Sequence, residues 1–280
     1  MNIVDAIVNL VENPMTAIVE HYSGRNRANQ AGDALEEYVK DLFADSFNLT
    51  EQERLECLSK AFSYLGNNSN PPDGILRNGD AIEVKKIENN NSTLALNSSY
   101  PKSKLHSNSQ MISRACREAE KGWKTKDLLY IVGVIQGENI KHLAMVYGED
   151  YCAEEECYLK IKNIIKQGVE NIPDVEFSET KELGRVNKVD PLGVTYLRIR
   201  GMWHIENPWS VFNYIYQRDM QNTFNFVAII NNSKWESMDN REKLLKLVGS
   251  VENLHIKDIK IKDPNNPAVL KQAKLITYYF

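Results

Sequence analysis

Three residues in one short stretch have the types and spacing to do chemistry: Asp73, Glu83 and Lys85, within Pro72-Asp73-Gly74-Ile75-Leu76-Arg77-Asn78-Gly79-Asp80-Ala81-Ile82-Glu83-Val84-Lys85-Lys86. Glu83 and Lys85 are two apart, so on a strand both point to one face. Ala81, Ile82, Val84 and Ile87 mark that strand as largely buried. An acid and an ammonium side by side there suit metal-assisted phosphodiester hydrolysis. Carboxylates supply hard oxygen ligands for a magnesium ion, and a nearby lysine positions or deprotonates the attacking water. Asp73 and Glu83 would then be the metal ligands and Lys85 the partner of the water. The plain alternative is a strand whose Glu83 and Lys85 pair with neighbours and do nothing more.

Hairpin geometry tests this reading. Asn78-Gly79 is a strong turn signal between two short strands. A two-residue turn there would set Asp73 opposite Val84, with its carboxylate on the wrong face. A three-residue loop, Arg77 to Gly79 with Gly79 left-handed, sets it opposite Glu83, and a bulge near Gly74 would have the same effect. The chemistry therefore requires one of these two. A second acid-x-lysine stretch, Glu179-Thr180-Lys181 preceded by Asp174, is polar, unlike a core strand and only five residues past its aspartate, and is rejected.

A helix is expected just upstream. From Ala28 to Phe43 the spacing of Ala31, Ala34, Leu35, Tyr38, Val39 and Leu42 gives one apolar face. Glu36 lies at its border and could reach the site as a further ligand, directly or through water. Glu37 reads as an ordinary solvent residue, and the choice between the two rests only on the position of Glu36 after Leu35.

The elements that must hold these groups follow from periodicity and punctuation. Helices are expected at about 2 to 12, 28 to 45, 50 to 64, 108 to 122, 150 to 168, 207 to 219 and 238 to 248. Strands are expected at about 73 to 77, 80 to 87, 128 to 136, 140 to 147, 194 to 201, 224 to 231, 254 to 262 and 273 to 279. This order predicts an α/β (α+β) fold, a mixed sheet flanked by helices. No domain boundary is visible, so residues 1 to 280 read as one domain, with a catalytic core at about 25 to 150 elaborated by the C-terminal half.

Composition sets the outer limits. With 280 residues, 42% of them hydrophobic, the chain can bury a sizeable core. Its N-terminus carries Asp5 and Glu12 inside an apolar pattern and no cleavage signal, and no apolar run is long enough to cross a bilayer. A cytoplasmic protein is expected. Cys57, Cys116, Cys152 and Cys157 are too scattered for a disulfide framework, and Cys152 and Cys157 lack the companions of a zinc site. The net charge of -4 is unevenly spread: residues 101 to 126 hold seven basic and two acidic residues, whereas residues 1 to 70 hold five basic and eleven acidic. Such asymmetry suits a protein that grips nucleic acid in one cleft.

Five segments carry a resemblance: Arg27 to Phe43, Phe62 to Asp73, Asp80 to Lys86, Leu94 to Leu105, and Arg200-Gly-Met-Trp203. In this order they resemble the NgoPII family of type II restriction endonucleases, and the likeness runs over nearly the whole chain. It implies a PD-(D/E)XK restriction-endonuclease-like core and Mg2+-dependent cleavage of double-stranded DNA at GGCC. Asp73, Glu83 and Lys85 match the three signature residues, and Glu36 matches the helix glutamate that many members place before the catalytic hairpin. The resemblance also implies a cognate methyltransferase acting on the same sequence, and a palindromic site cut on both strands suits a homodimer.

Base readout would need donors and acceptors beside the catalytic strand. Asn97, Ser98, Lys102 and Lys104 are the expected DNA contacts, with Arg198 and Arg200 as further candidates on a strand face of their own. The aromatic run Trp203, Trp209, Phe212, Tyr214 and Tyr216 reads as core or dimer contact. A structure-specific repair or junction nuclease is the alternative on the same core. A non-catalytic DNA-binding protein of the same fold is another.

Overall fold

Two capping boxes open the helical face of the molecule. Asn2 accepts from the Val4 N–H at 2.9 Å while the Asp5 carboxylate accepts from the Asn2 N–H at 3.0 Å. Thr50 and Glu53 repeat the arrangement. The computed structural model describes residues 1–23, 31–67 and 70–280. Helices α1 (Ile3–Glu12), α2 (Ile18–Ser23), α3 (Ala31–Ala44) and α4 (Glu51–Ala61) come first. Strands β1 (Phe62–Asn67), β2 (Asn70–Leu76), β3 (Ala81–Ile87), β4 (Leu94–Asn97) and β5 (Lys104–His106) lead to helix α5 (Arg114–Glu118), then β6 (Thr125–Gln136) and β7 (Asn139–Tyr147). The second half holds α6 (Gly148–Tyr151), α7 (Glu155–Glu170), β8 (Glu176–Phe177), β9 (Gly184–Asn187), β10 (Leu197–Ile199) and β11 (Trp203–Ile205). It ends with α8 (Pro208–Val211), β12 (Asn225–Asn231), α9 (Asn232–Glu236), α10 (Arg241–Val248), β13 (Leu254–Lys262) and β14 (Leu270–Tyr279).

The main sheet runs β1-β2-β3-β6-β7-β12-β14-β13, with β5 paired to β6. The pairs β3–β6 and β7–β12 are parallel and the others antiparallel. This is the expected mixed α/β sheet, and it joins strands from residues 62 to 279. Alternation divides its side chains between two apolar layers. Ile82, Val84, Leu129, Ile131 and Met145 pack under α1, α3 and α4, while Ala81, Ile87, Leu128, Val132 and Ala144 face the layer containing Trp209 and Phe212. Helix α3 sits tightly on the sheet: a Cβ at Gly133 of β6 would lie 2.7 Å from a Leu35 methyl carbon. The aromatic run is thus core at Trp209 and Phe212, whereas Tyr214 is exposed.

Several expected boundaries move. The helix expected to 64 stops at Ala61, and residues 62–67 form the edge strand β1, whose Tyr64 hydroxyl reaches the Asn70 carbonyl. The expected helix at 108 to 122 shrinks to α5, and the one at 150 to 168 divides into α6 and α7. The one at 207 to 219 is a single turn, started by Pro208 and capped by Asn207. Aromatic residues at helical spacing there bury into the sheet layer without continuing a helix. The strand expected at 194 to 201 is only Leu197–Ile199. Of the expected helix at 28 to 45, residues 28–30 lie outside the described residues.

Candidate active site

The candidate hairpin has the three-residue loop expected for it. Gly74 pairs with Ile82 and Ile75 with Ala81, and the Leu76 N–H donates to the Asp80 carbonyl at 2.9 Å. That register sets Asp73 opposite Glu83. The left-handed residue is Asn78, with φ 55°, and not Gly79 as expected. Asn tolerates this conformation. Gly79 serves close packing instead, since a Cβ there would lie 3.1 Å from the Leu76 Cβ and 3.3 Å from the Met1 carbonyl oxygen.

At Asp73 the ladder gives way to a side chain: the Asp73 carboxylate accepts from the Val84 N–H at 2.6 Å. Glu83 and Lys85 share the face of Ala81 and Ile87, and Lys85 Nζ lies 2.6 Å from Glu83 Oε1. Asp73, Glu83, Lys85 and Glu36 together line a cavity of about 460 Å³. Glu36 arrives from α3, across the sheet, and also borders a small opening shared with Asp73, Gly74 and Val84. Glu37 goes elsewhere, into ion pairs with Lys40 at 2.6 Å and Arg54 at 2.7 Å.

The electrostatics are those of a crowded anionic site. Burial, reinforced by the Glu83 charge, pushes the Asp73 carboxyl up to about 7, against the pull of Lys85 and the Val84 N–H. Burial also raises Glu36, helped by Asp33 and Glu37. For Lys85 burial acts to lower the ammonium, but Glu83 and Asp73 outweigh it and hold it above its ordinary value. The raised Asp73 and Glu36 carboxyls mark a crowded anionic place that a cation would relieve. Among the described residues no group of three or more His, Cys, Asp and Glu side chains makes a ready metal cage. Magnesium does not need one, because it is commonly held by one or two carboxylates with water and phosphate oxygens. The donor set of Asp73 and Glu83 therefore fits.

A loop closes the cavity from above. β4 pairs with β11, setting Asn97 opposite Trp203, and Tyr100 stacks on Tyr158 with centroids 5.8 Å apart. Asn97, Ser98 and Lys102 line the cavity. The Tyr130 hydroxyl clamps the loop, accepting from the Lys102 N–H at 2.9 Å and donating to the Lys102 carbonyl at 3.2 Å. Burial holds the Lys102 ammonium below its ordinary value, against the nearby Glu83 and Glu155 charges; it donates to Ser99 Oγ at 3.0 Å. Tyr130 escapes a reading of the sequence, where its only signal is one hydroxyl inside the aliphatic run Leu128-Leu-Tyr-Ile-Val.

Residues 1–262 match the family described as NgoPII restriction endonuclease. The chain is 65% identical over 280 residues, all of both chains, to the type II restriction enzyme NgoPII of Neisseria gonorrhoeae. The chain belongs to the NgoPII restriction endonuclease family. No solved structure matches it significantly. As a family member it is a site-specific deoxyribonuclease acting on double-stranded DNA, and enzymes of this type generally use divalent metal ions. Membership decides for site-specific cleavage over a structure-specific nuclease or a non-catalytic binder.

The remaining expected contacts lie outside this cavity. Lys104 borders a small adjoining space that shares Tyr100 and Lys102 with the cavity, and is held between Asp127 and Glu149, each at 3.2 Å. Arg198 and Arg200 belong to the segment around β10 in the small sheet β10-β9-β8, where both hold Glu182, at 2.8 and 2.7 Å. The basic stretch of residues 101 to 126 is likewise partly neutralised, Arg114 by Glu118 and Lys126 by Glu120. Glu179 and Lys181 of the rejected copy lie beyond β8, outside any core strand. Among the described residues no helix is long and apolar enough to cross a membrane.

Proposed function

We propose that this chain is a single restriction endonuclease domain that hydrolyses both strands of DNA at GGCC with Mg2+, using Asp73, Glu83, Lys85 and Glu36. The observation that carries the reading is the convergence of these four residues, from three separate elements, on one cavity. Asp73 and Glu83 would hold the ion, with Glu36 behind them. When bound, a divalent ion lowers the pKa of water and stabilises charge on the phosphoryl oxygens.

The chain's own groups do the rest. The Val84 N–H fixes one Asp73 oxygen, and Lys85, fully charged beside Glu83, orients the attacking water. Lys102, Asn97 and Ser98 face the same space and contact the DNA beside the scissile bond. Lys104, Arg198 and Arg200 lie farther along, engaged with acids, and act at the periphery.

GGCC and a cognate methyltransferase are what the family resemblance implies, and a two-fold dimer that delivers one site to each strand suits such a palindrome. A cytoplasmic location accords with that role. Specificity is tested by digesting plasmid DNA with magnesium and sequencing the fragment ends. Discrete fragments ending within GGCC support the assignment; ends at another sequence would replace it.

A further inference from the structure

The catalytic cavity continues past the loop that closes it. A second cavity of about 350 Å³ shares Ser98, Ser99, Tyr100 and Met111 with it and runs between that loop and α7. Its far wall carries Lys162 and Lys166 from α7 and Lys181 from the segment before β9, with Asn163 beside them.

The partners of these lysines set them apart. Lys162 donates to the Lys181 carbonyl at 3.4 Å and Lys181 to the Gln110 carbonyl at 3.0 Å. Neither therefore spends its charge on a carboxylate. Lys166 stands 3.7 Å from Glu170 on an exposed helix turn, a contact worth little. By contrast Lys86, Lys188 and Lys274 all lie directly against acids. Of the acids lining this groove, Glu182 is neutralised by two arginines, and Glu155, which accepts from the Tyr100 hydroxyl and keeps its charge, stands against three lysines. The wall is left with an excess of positive charge in a protein whose net charge is -4, and such a local excess attracts a polyanion.

Spacing agrees. Lys162 and Lys166 are one helical turn apart on one face, roughly 6 Å along the axis. One DNA strand presents a phosphate about every 3.4 Å of its axis, so the pair spans about two phosphates. Asn163 adds a neutral donor of the kind that fixes phosphate and sugar.

We propose that the groove between residues 98–111 and α7 is a track for the phosphate backbone flanking the scissile bond, held by Lys162, Lys166 and Lys181. This deepens the DNA-cleaving reading of the neighbouring cavity and rests on it. It also accounts for Arg198 and Arg200, which neutralise Glu182, a charge that would otherwise repel the backbone.

The test compares Lys162→Ala/Lys166→Ala with wild type for binding of a short duplex across a salt series and for plasmid cleavage. Lys160→Ala, on the exposed side of α7, is the control. The double variant should bind about tenfold or more weakly, and its slope of log K against log salt should fall by nearly 2, at about 0.9 per phosphate contact. KM should rise while kcat at saturating DNA stays within about twofold, the pattern of lost uniform binding. Lys160→Ala should change neither. Unchanged affinity and slope in a double variant that melts like wild type would overturn the track, as would an equal loss in Lys160→Ala. If the alanine pair does not fold, Lys162→Gln/Lys166→Gln keeps the side-chain length and gives the same readout. Wild-type protein that neither binds nor cuts DNA would instead sink the reading on which the track depends.

Discussion

The Val84 N–H donates to the Asp73 carboxylate at 2.6 Å, where a backbone carbonyl would otherwise continue the β2–β3 ladder. A carboxylate thus ends the sheet pairing and is fixed beside Glu83 by the same contact. This separates two roles of one residue. Asp73→Asn keeps an oxygen for Val84 but loses the charge. It should fold normally and lose about 100-fold or more in cleavage, since a metal ligand is worth several kcal/mol and each 1.36 kcal/mol is tenfold. Asp73→Ala should lose the same activity and also melt lower, because an unpaired buried N–H costs about 1–3 kcal/mol. Equal melting of the two variants would contradict the structural half of this account.

The raised Asp73 carboxyl has a pH signature. Its folded-state pKa of about 7 lies above the unfolded value of about 3.9. The unfolded state therefore gives up this proton first as pH rises. The stability the group contributes is fully present below about pH 4 and is lost as pH rises through about 7. Metal-free protein should melt progressively lower across that window, and Asp73→Asn should flatten the trend. Ion binding needs the ionised carboxylate, so the magnesium concentration for half-maximal cleavage should climb as pH falls below about 7. A half-saturation independent of pH would remove Asp73 from the ion site.

Glu36 and Glu37 are adjacent in sequence but should behave oppositely. Glu37 holds Arg54 and Lys40. Glu37→Gln should lower the melting temperature and leave kcat near wild type. Burial raises the Glu36 carboxyl above its ordinary value, a sign that its buried charge costs stability, so Glu36→Gln should leave the fold intact or slightly firmer and reduce cleavage about 10- to 100-fold, the range for groups that support a metal site from behind. Cleavage kinetics beside thermal melts of both variants decide this.

Positioning of Glu36 depends on how closely α3 sits on β6. An added Cβ at Gly133 would lie 2.7 Å from Leu35, a fully buried side chain. Gly133→Ala should destabilise by about 1–3 kcal/mol, as overpacking does, and impair cleavage. Leu35→Val in the same chain should recover part of both. Measured in a double-mutant cycle, additive losses would show that the two residues do not share this contact.

The convergence of the candidate site residues on one cavity was legible because the expected chemistry restricts geometry. Two carboxylates on one face of a hairpin admit few loops, and the three-residue loop Arg77 to Gly79 was among them. The details of that loop were not legible: a glycine signals either positive φ or close packing, and only the fold shows that Asn78 takes the first and Gly79 the second. Long buried strands such as β6, β7 and β12 stand out by nearly uninterrupted apolar residues, and β13, at the sheet edge, by alternating ones. The edge strand β1 does not, because Phe62-Ser-Tyr-Leu continues the spacing of the helix before it. α8 is shorter than its periodicity suggests for a related reason: Trp209 and Phe212 keep helical spacing, yet their burial against the sheet decides the backbone. Residues such as Tyr130 and Lys162 matter through neighbours far away in sequence, which composition and periodicity cannot show.

The most direct measurement is the cleavage rate of purified protein on plasmid DNA as magnesium is titrated, for wild type, Glu83→Gln and Lys85→Ala. Glu83→Gln removes one charge from the pair with Lys85 at almost no change in shape. The account predicts saturable, chelator-sensitive cleavage by wild type and a loss of about 100-fold or more in both variants, which should still bind DNA. Cleavage that ignores magnesium, or that survives in Glu83→Gln at the wild-type rate, would contradict the assignment of this hairpin as the active site.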